Sequence, residues 1–308
     1  MGKKITVVGA GFVVTACAKR IIEKNLADVT LMDIVEGLPQ GKALDLMQSA
    51  AIEGFSKKIR GTNNYQETQN SDIVIITAGS ARKPGMSRDD LFKINSGIIS
   101  DVVTQISKFS PDSIIIMVTN PLDAMTYLAF KISGFPSHRV LGMAGILDSA
   151  RYSYFISEKL GCAPAEVRSI VLGGHGDTMV PMPRLSEIKG KPLVELLSAD
   201  EISEINERTQ NGGAEIVKFL KTGSAYYAPS SSAVKMAEHI IKDIHEIIPC
   251  SVYLNGEYGL SDIYFGVPVR LCGKGLKEIA EIKLTDEEQK RLDKSAQAVA
   301  ETINKLKT

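Results

Sequence analysis

The segment Gly173-Gly174-His175-Gly176-Asp177 places a histidine among glycines at the end of an apolar run. Neighbours without a Cβ let a ligand approach closely. An imidazole with an ordinary pKa of about 6.5 exchanges protons near neutral pH. A lone histidine is more often structural, so other polar residues have to decide. Asp148 and Arg151, in Leu147-Asp148-Ser149-Ala150-Arg151, lie three apart and share a helix face. As an isolated pair they would be a surface ion pair of little energetic value. Arg82 and Arg88 lie six apart in a stretch punctuated by Gly79, Pro84 and Gly85. Two guanidinium groups on such a loop suit capture of a carboxylate with closure that expels water. The bland alternative is a solvated basic loop. Asn120, before Pro121, offers a donor and an acceptor at a strand end, although Asn-Pro is also a common turn initiator.

A second constellation opens the chain. Gly9-Ala10-Gly11 directly follows the apolar run Ile5–Val8 and precedes a helical pattern. The first glycine permits a tight turn. The second lets the backbone approach a pyrophosphate at a helix N-terminus. Asp33 ends the next apolar run, 22 residues after Gly11, where a carboxylate accepts both ribose hydroxyls and repels a 2′-phosphate; this favours NAD over NADP. The alternative for Asp33 is a cap on the following turn. The third glycine of the fingerprint is replaced by Val14, flanked by the β-branched Val13 and Thr15. That is poor helix chemistry, and it predicts weakened or repositioned cofactor binding.

These residues need a frame. Ile5–Val8, Val29–Met32, Ile73–Ile76 and Ile114–Val118 read as buried parallel strands. Amphipathic segments lie between them, one after Gly11 and one from Gly41 to Ala51. The alternation predicts an α/β fold, a Rossmann-type doubly wound parallel sheet. The second half reads as a less regular α+β substrate domain. Its strands are expected at Val167–Leu172, Val252–Tyr253 and Tyr264–Leu271, and its helices at Ser198–Phe219 and Ser231–Ile241. A charged helix from Thr285 to Leu306 closes it, with Thr285 and Glu288 at capping-box spacing. The expected division is 1–145 for NAD and 146–308 for catalysis and substrate, with no Pro/Gly linker between them.

Composition excludes several classes. Lys+Arg and Asp+Glu are both 36, so no bulk basic field exists to hold nucleic acid. No apolar run reaches about 18 residues, which argues against a membrane span. No signal peptide is apparent, so cytoplasmic residence is expected. Cys17, Cys162, Cys250 and Cys272 show no CxxC spacing and read as small fillers in a reducing compartment. The four histidines show no HExxH pattern, and no metal is expected.

In order and spacing the chain resembles the lactate/malate dehydrogenase family, specifically its lactate-dehydrogenase-like malate dehydrogenase group. The resemblance covers essentially the whole chain. It rests on Gly9-Ala10-Gly11, Ala81-Arg82-Lys83-Pro84-Gly85-Met86-Ser87-Arg88, Asn120-Pro121-Leu122-Asp123, Leu147-Asp148-Ser149-Ala150-Arg151 and Gly174-His175-Gly176-Asp177. It implies that His175 exchanges the proton of a malate hydroxyl while hydride passes to or from NAD, with Asp148 orienting the imidazole. Arg151 would clamp the carboxylate beside the reacting carbon, Arg88 would polarise the carbonyl, and Asn120 would orient the substrate. NAD contacts would come from Gly9, Ala10, Gly11, Phe12, Val13, Val14, Asp33, Asn95, Val118, Thr119 and Asn120. A homodimer or homotetramer is implied too. Ala81 stands where relatives commonly carry proline, which should loosen the loop's open state.

Three other readings compete. A lactate or broad 2-hydroxy-acid dehydrogenase is opposed by Arg82, and mildly by Ala225, where lactate enzymes tend to carry threonine. A catalytically impaired NAD-binding sensor is favoured only by Val14. An NAD-dependent glycoside hydrolase would need a metal site that the Cys/His spacing does not suggest. Arg82 therefore carries the substrate choice. Charge-assisted hydrogen bonds to malate's second carboxylate are worth roughly 1.5–3 kcal/mol each, and pyruvate would leave the guanidinium enclosed without a partner. Turnover efficiency, kcat/KM, is expected to favour oxaloacetate over pyruvate by several powers of ten; comparable values would remove Arg82 as the selector.

Overall fold

The computed structural model describes residues 2–80 and 88–306, for Arg88 the backbone only. Arg82 and the Ala81 departure lie outside the described residues. The first half alternates strand and helix: β1 (Lys4–Val8), α1 (Phe12–Glu23), β2 (Asp28–Met32), α2 (Leu38–Gln48), α3 (Ala50–Glu53), β3 (Ile59–Thr62), β4 (Ile73–Ile76), α4 (Arg88–Phe109), β5 (Ile114–Met117), α5 (Leu122–Ser133) and β6 (Val140–Gly142). These six strands pair in parallel in the order β3-β2-β1-β4-β5-β6. That is the doubly wound order expected, with its reversal between β1 and β4. β1, β2, β4 and β5 are apolar and buried because helices cover both faces. β3, with its exposed Arg60, and the three-residue β6 fall below what periodicity detects.

The second half begins with α6 (Gly145–Leu160) and continues through β7 (Val167–Arg168), β8 (Val171–Leu172), β9 (Val180–Pro181), β10 (Glu187–Ile188), β11 (Lys191–Pro192), α7 (Leu193–Leu196), α8 (Ala199–Leu220), α9 (Tyr227–Lys242), β12 (Ile247–Asn255), β13 (Ser261–Cys272), β14 (Gly275–Ile279) and α10 (Asp286–Asn304). β12, β13 and β14 join the main sheet, antiparallel, through the pairing of Ser251 with Gly142. The two halves thus share one nine-stranded sheet.

The single strand expected at Val167–Leu172 is two. β7 pairs with β10, whereas β8 pairs with β9 in a separate ribbon. The break falls at Ser169, whose hydroxyl donates to the Ser149 carbonyl at 3.0 Å, while Val171 N–H donates to Ser149 Oγ at 2.9 Å. Hydrogen bonds to α6 divert the chain from the ladder. The expected short strands Val252–Tyr253 and Tyr264–Leu271 are the cores of longer ones. The reciprocal cap on α10 forms as the spacing predicts: Glu288 N–H donates to Thr285 Oγ1 (3.2 Å), and Thr285 N–H donates to Glu288 Oε2 (2.9 Å).

One core residue sets a limit on acid stability. His239, in the last turn of α9, is 0% exposed, and neither ring nitrogen has a hydrogen-bond partner among the described residues. Burial pushes its pKa below the ordinary value and Lys235 adds to this, against the opposing charges of Glu246, whose Oε2 lies 3.7 Å from Nε2, and Glu238. The folded state therefore resists protonation that the unfolded chain accepts at about pH 6.5. Its contribution is harmless above that pH and becomes destabilising as pH falls towards the depressed folded value. The fall in Tm between pH 7.5 and 5.5 is expected to be smaller in His239→Leu than in the parent; an equal fall would assign the acid sensitivity elsewhere.

Candidate active site

The sheet's reversal point holds a groove. Residues 9–13 after β1, Asp33 after β2, and Thr77, Ala78 and Gly79 after β4 line a cavity of about 380 Å³, with Ile34, Val35, Tyr65, Ile98 and Val102 completing it. Gly9 has φ of +103°, where an L side chain is strained. No heavy atom lies within 4 Å of where a Cβ on Gly11 would stand, so the backbone at the start of α1 is open to a phosphate. Asp33 serves two ends. Its Oδ1 accepts the N–H of Val35 at 2.8 Å, the turn-capping role, and the residue also lines the groove. The residues present therefore fit a dinucleotide.

Val14 is not part of the groove's lining. It is 1% exposed and packs into the core, its Cγ2 closing the space beside Gly9. α1 forms despite its β-branched start, with Thr15 Oγ1 donating to the Gly11 carbonyl at 3.0 Å and Lys42 Nζ donating to that of Ala10.

The ends of β4 and β5 are tied together beside the groove. Asn95, 2% exposed on α4, accepts the Ser80 N–H at Oδ1 and donates from Nδ2 to the Asn120 carbonyl, both at 2.8 Å. Thr119 Oγ1 donates to the Ala78 carbonyl at 2.7 Å. A Cβ at Gly79 would come within 2.8 Å of Thr119 Cγ2, so only glycine lets these strand ends approach so closely. Val118 is half-buried, and Asn120 is exposed at the strand end. Asn95 and Thr119 thus act as braces here. Thr77, Ala78 and Gly79 begin the segment that the sequence places at a strand's C-terminal end, where ligands bind in open α/β sheets, but it assigns none of the three a cofactor contact.

The polar cluster is built on α6. Asp148, 2% exposed, lies in its first turn. Its Oδ2 meets Nδ1 of His175 at 2.8 Å, and its Oδ1 accepts from Nη1 of Arg151 at 3.3 Å. The structure thus brings His175, 27 residues further along the chain than Asp148, onto the Asp148–Arg151 face of α6. Burial by itself depresses the basicity of His175. The adjacent Asp148 carboxylate opposes this by charge and hydrogen bond, with Asp123 assisting and Arg151 countering, and the pKa ends above the ordinary histidine value. Arg151 is 15% exposed at its side chain, and its Nε is buried without a partner among the described residues. α8 passes beside it, with Gly212 and Gly213 facing the Arg151 side chain. Arg88 opens α4; its side chain, like Arg82, lies outside the described residues. Among the described residues, no group of His, Cys, Asp and Glu is arranged to hold a metal, and no helix is long and apolar enough to cross a membrane.

Comparison with known proteins matches residues 3–142 to the lactate/malate dehydrogenase NAD-binding domain and residues 146–308 to the lactate/malate dehydrogenase α/β C-terminal domain. The malate dehydrogenase of Roseiflexus castenholzii is 52% identical over 307 residues, covering 100% of this chain and 99% of its own length. That of Methanosarcina barkeri is 53% identical over 303 residues, covering 98% and 99%. Among solved structures, Cryptosporidium parvum malate dehydrogenase superposes with a TM-score of 0.97 at 43% identity, over 100% of this chain and 99% of that one. The lactate dehydrogenase of the same organism, complexed with lactic acid and nicotinamide adenine dinucleotide, gives 0.97 at 40% identity with the same coverage.

The placement of Val14 changes what its replacement should do. Val14→Gly removes a buried side chain and puts glycine into a helix, with an expected loss of about 2–4 kcal/mol. Tm should fall, read by thermal denaturation. NADH affinity of the folded variant, read by fluorescence titration, should tighten if Val14 weakens cofactor binding. Unchanged affinity would confine Val14 to packing.

Proposed function

The chain belongs to the lactate/malate dehydrogenase family, and we propose that it interconverts (S)-malate and oxaloacetate, with His175 carrying the proton. It is an oxidoreductase with NAD as its cofactor. The observation that carries the proposal is the sharing of Asp148 between His175 and Arg151. Asp148 holds Nδ1, so Nε2 is the nitrogen that takes the malate hydroxyl proton and returns it in the reverse direction. The same carboxylate orients Arg151 to clamp the substrate carboxylate next to the reacting carbon. Arg88 polarises the carbonyl, Arg82 pairs with the distal carboxylate, and Asn120 orients the substrate, as their positions in the family's motifs imply. Bound in the groove, NAD supplies the hydride acceptor or donor. Gly9, Ala10, Gly11, Phe12, Val13 and Asp33 hold it, with Val14, Asn95, Val118 and Thr119 supporting the surrounding backbone.

Malate rather than lactate rests on Arg82, since the backbone superposes equally well on enzymes of both kinds. The proposal includes a division at 145/146 into nucleotide and substrate parts, and a homodimer or homotetramer. The assembly is what the family's motifs imply for this chain. A cytoplasmic, reducing setting fits four cysteines that are all free thiols. No nucleic-acid partner is proposed.

The proton assignment has a definite pH signature. Oxaloacetate reduction needs the imidazolium, so its rate, followed as NADH oxidation at 340 nm, is expected to decline as pH rises through a limb above the ordinary histidine value. Malate oxidation should show the mirror image. Asp148→Asn should move the limb down and lower kcat by about 10²-fold or more. A limb and kcat unaffected by that change would overturn the His175–Asp148 relay; silence with both substrates while NADH binds would favour the impaired sensor.

A further inference from the structure

Asp123 lies in the first turn of α5 and is 5% exposed, yet no Lys or Arg pairs with it among the described residues. Burying a carboxylate without a cation is costly. Its surroundings push its pKa up, burial being the main cause, with Asp148 adding to it and hydrogen bonds from Ser251 and His175 opposing. If packing were its only purpose, a neutral side chain would serve at lower cost. Its two oxygens have defined tasks. Oδ2 accepts the main-chain N–H of His175 at 2.8 Å, and Oδ1 accepts the Ser251 hydroxyl at 2.7 Å.

The segment it holds needs such support. Gly173 and Gly176, which flank Gly174-His175, both have positive φ, at +95° and +155°. Gly173 N–H donates to the Gly266 carbonyl (2.9 Å) and Gly174 N–H to Ser295 Oγ (3.0 Å), so the segment is pinned from β13 and α10. Those two anchors are neutral. The anchor at His175 itself is a carboxylate.

We infer that Asp123 is a positioning residue for His175, fixing its main chain from α5 while Asp148 fixes its ring from α6, and that its negative charge helps hold the imidazolium. The inference rests on His175 as the proton carrier. Among the described residues, the charged groups acting on the imidazole are Asp148 and Arg151 from α6 and Asp123 from α5. The facing residues of β12 and α10, Ser251 and Ser295, are uncharged. Two carboxylates against one guanidinium leave the site favouring a cation at the imidazole.

Asparagine separates charge from contact. In Asp123→Asn, Oδ1 can still accept the His175 N–H while Nδ2 donates to Ser251 Oγ, whose hydroxyl reorients. Asp123→Ala removes charge and both contacts. The chain has four histidines, so the His175 ring protons are identified by NMR as the resonance lost in His175→Gln. In full-length Asp123→Asn, the His175 titration is expected about half to one pH unit lower, with NADH affinity and Tm retained. The alkaline limb of oxaloacetate reduction should move down with it. Asp123→Ala should lower kcat about 10-fold or more beyond Asp123→Asn, because the histidine is no longer held in place. An unmoved titration in Asp123→Asn, or equal kcat in the two variants, would overturn the role of Asp123. Full turnover in His175→Gln would instead overturn the proton assignment, and this inference with it.

Discussion

Everything at the reaction site depends on one buried carboxylate with two partners. Asp148 is almost wholly enclosed, and its oxygens face His175 on one side and Arg151 on the other. A carboxylate in that setting needs hydrogen-bond donors on both oxygens. In the proposed reaction these donors are the group that would move a proton and the group that would grip an anion. Moving either would leave one buried oxygen of Asp148 without its donor. The spacing between the imidazole and the guanidinium is therefore built into a single side chain in the first turn of α6, and the proposed proton transfer and carboxylate recognition would inherit it.

The nucleotide groove depends on a different constraint, the reversal of strand order between β1 and β4. Adjacent strands whose connections run to opposite sides leave a crevice at their carboxyl ends. Gly9 and Gly79 let the chain pack tightly beside that crevice, since a Cβ on Gly9 would press on Thr77 and Val14 and one on Gly79 would collide with Thr119. Asn95 and Thr119 then fasten the ends of β4 and β5, so the edge of the groove there is braced by side-chain hydrogen bonds.

Much of this was legible beforehand, because it is local. β1, β2, β4 and β5 announce themselves as apolar runs, Thr285 and Glu288 as a cap, and the glycine turn by its place after a strand. What was not legible involves distant partners. Asp123 meets His175 across 52 residues and Ser251 across 128, and Ser295 reaches Gly174 across 121. No periodicity encodes such contacts. The split at Ser169 was hidden because the apolar run continues through it, while hydroxyls on α6 redirect the backbone. Val14 likewise has a place that no local pattern gives. As a fingerprint departure it suggests a disturbed cofactor loop, but the side chain has found room in the core. Arg82 and Arg88 are legible only as motif members, since Arg82 and the Arg88 side chain fall outside the described residues.

The continuous sheet has a consequence for modularity. β12 lays its edge on β6, so the last strand of the nucleotide half is an interior strand of the molecule. Cut at residue 145, the first half would present β6 as a bare edge, with unpaired N–H and C=O groups and the apolar surface that β12 now covers. The nucleotide-binding half is thus not a portable cartridge. A chimera exchanging it between relatives has to match the β6–β12 seam as carefully as the site, and a fragment ending there invites strand-to-strand association. The seam ties inheritance of the cofactor half to inheritance of its partner.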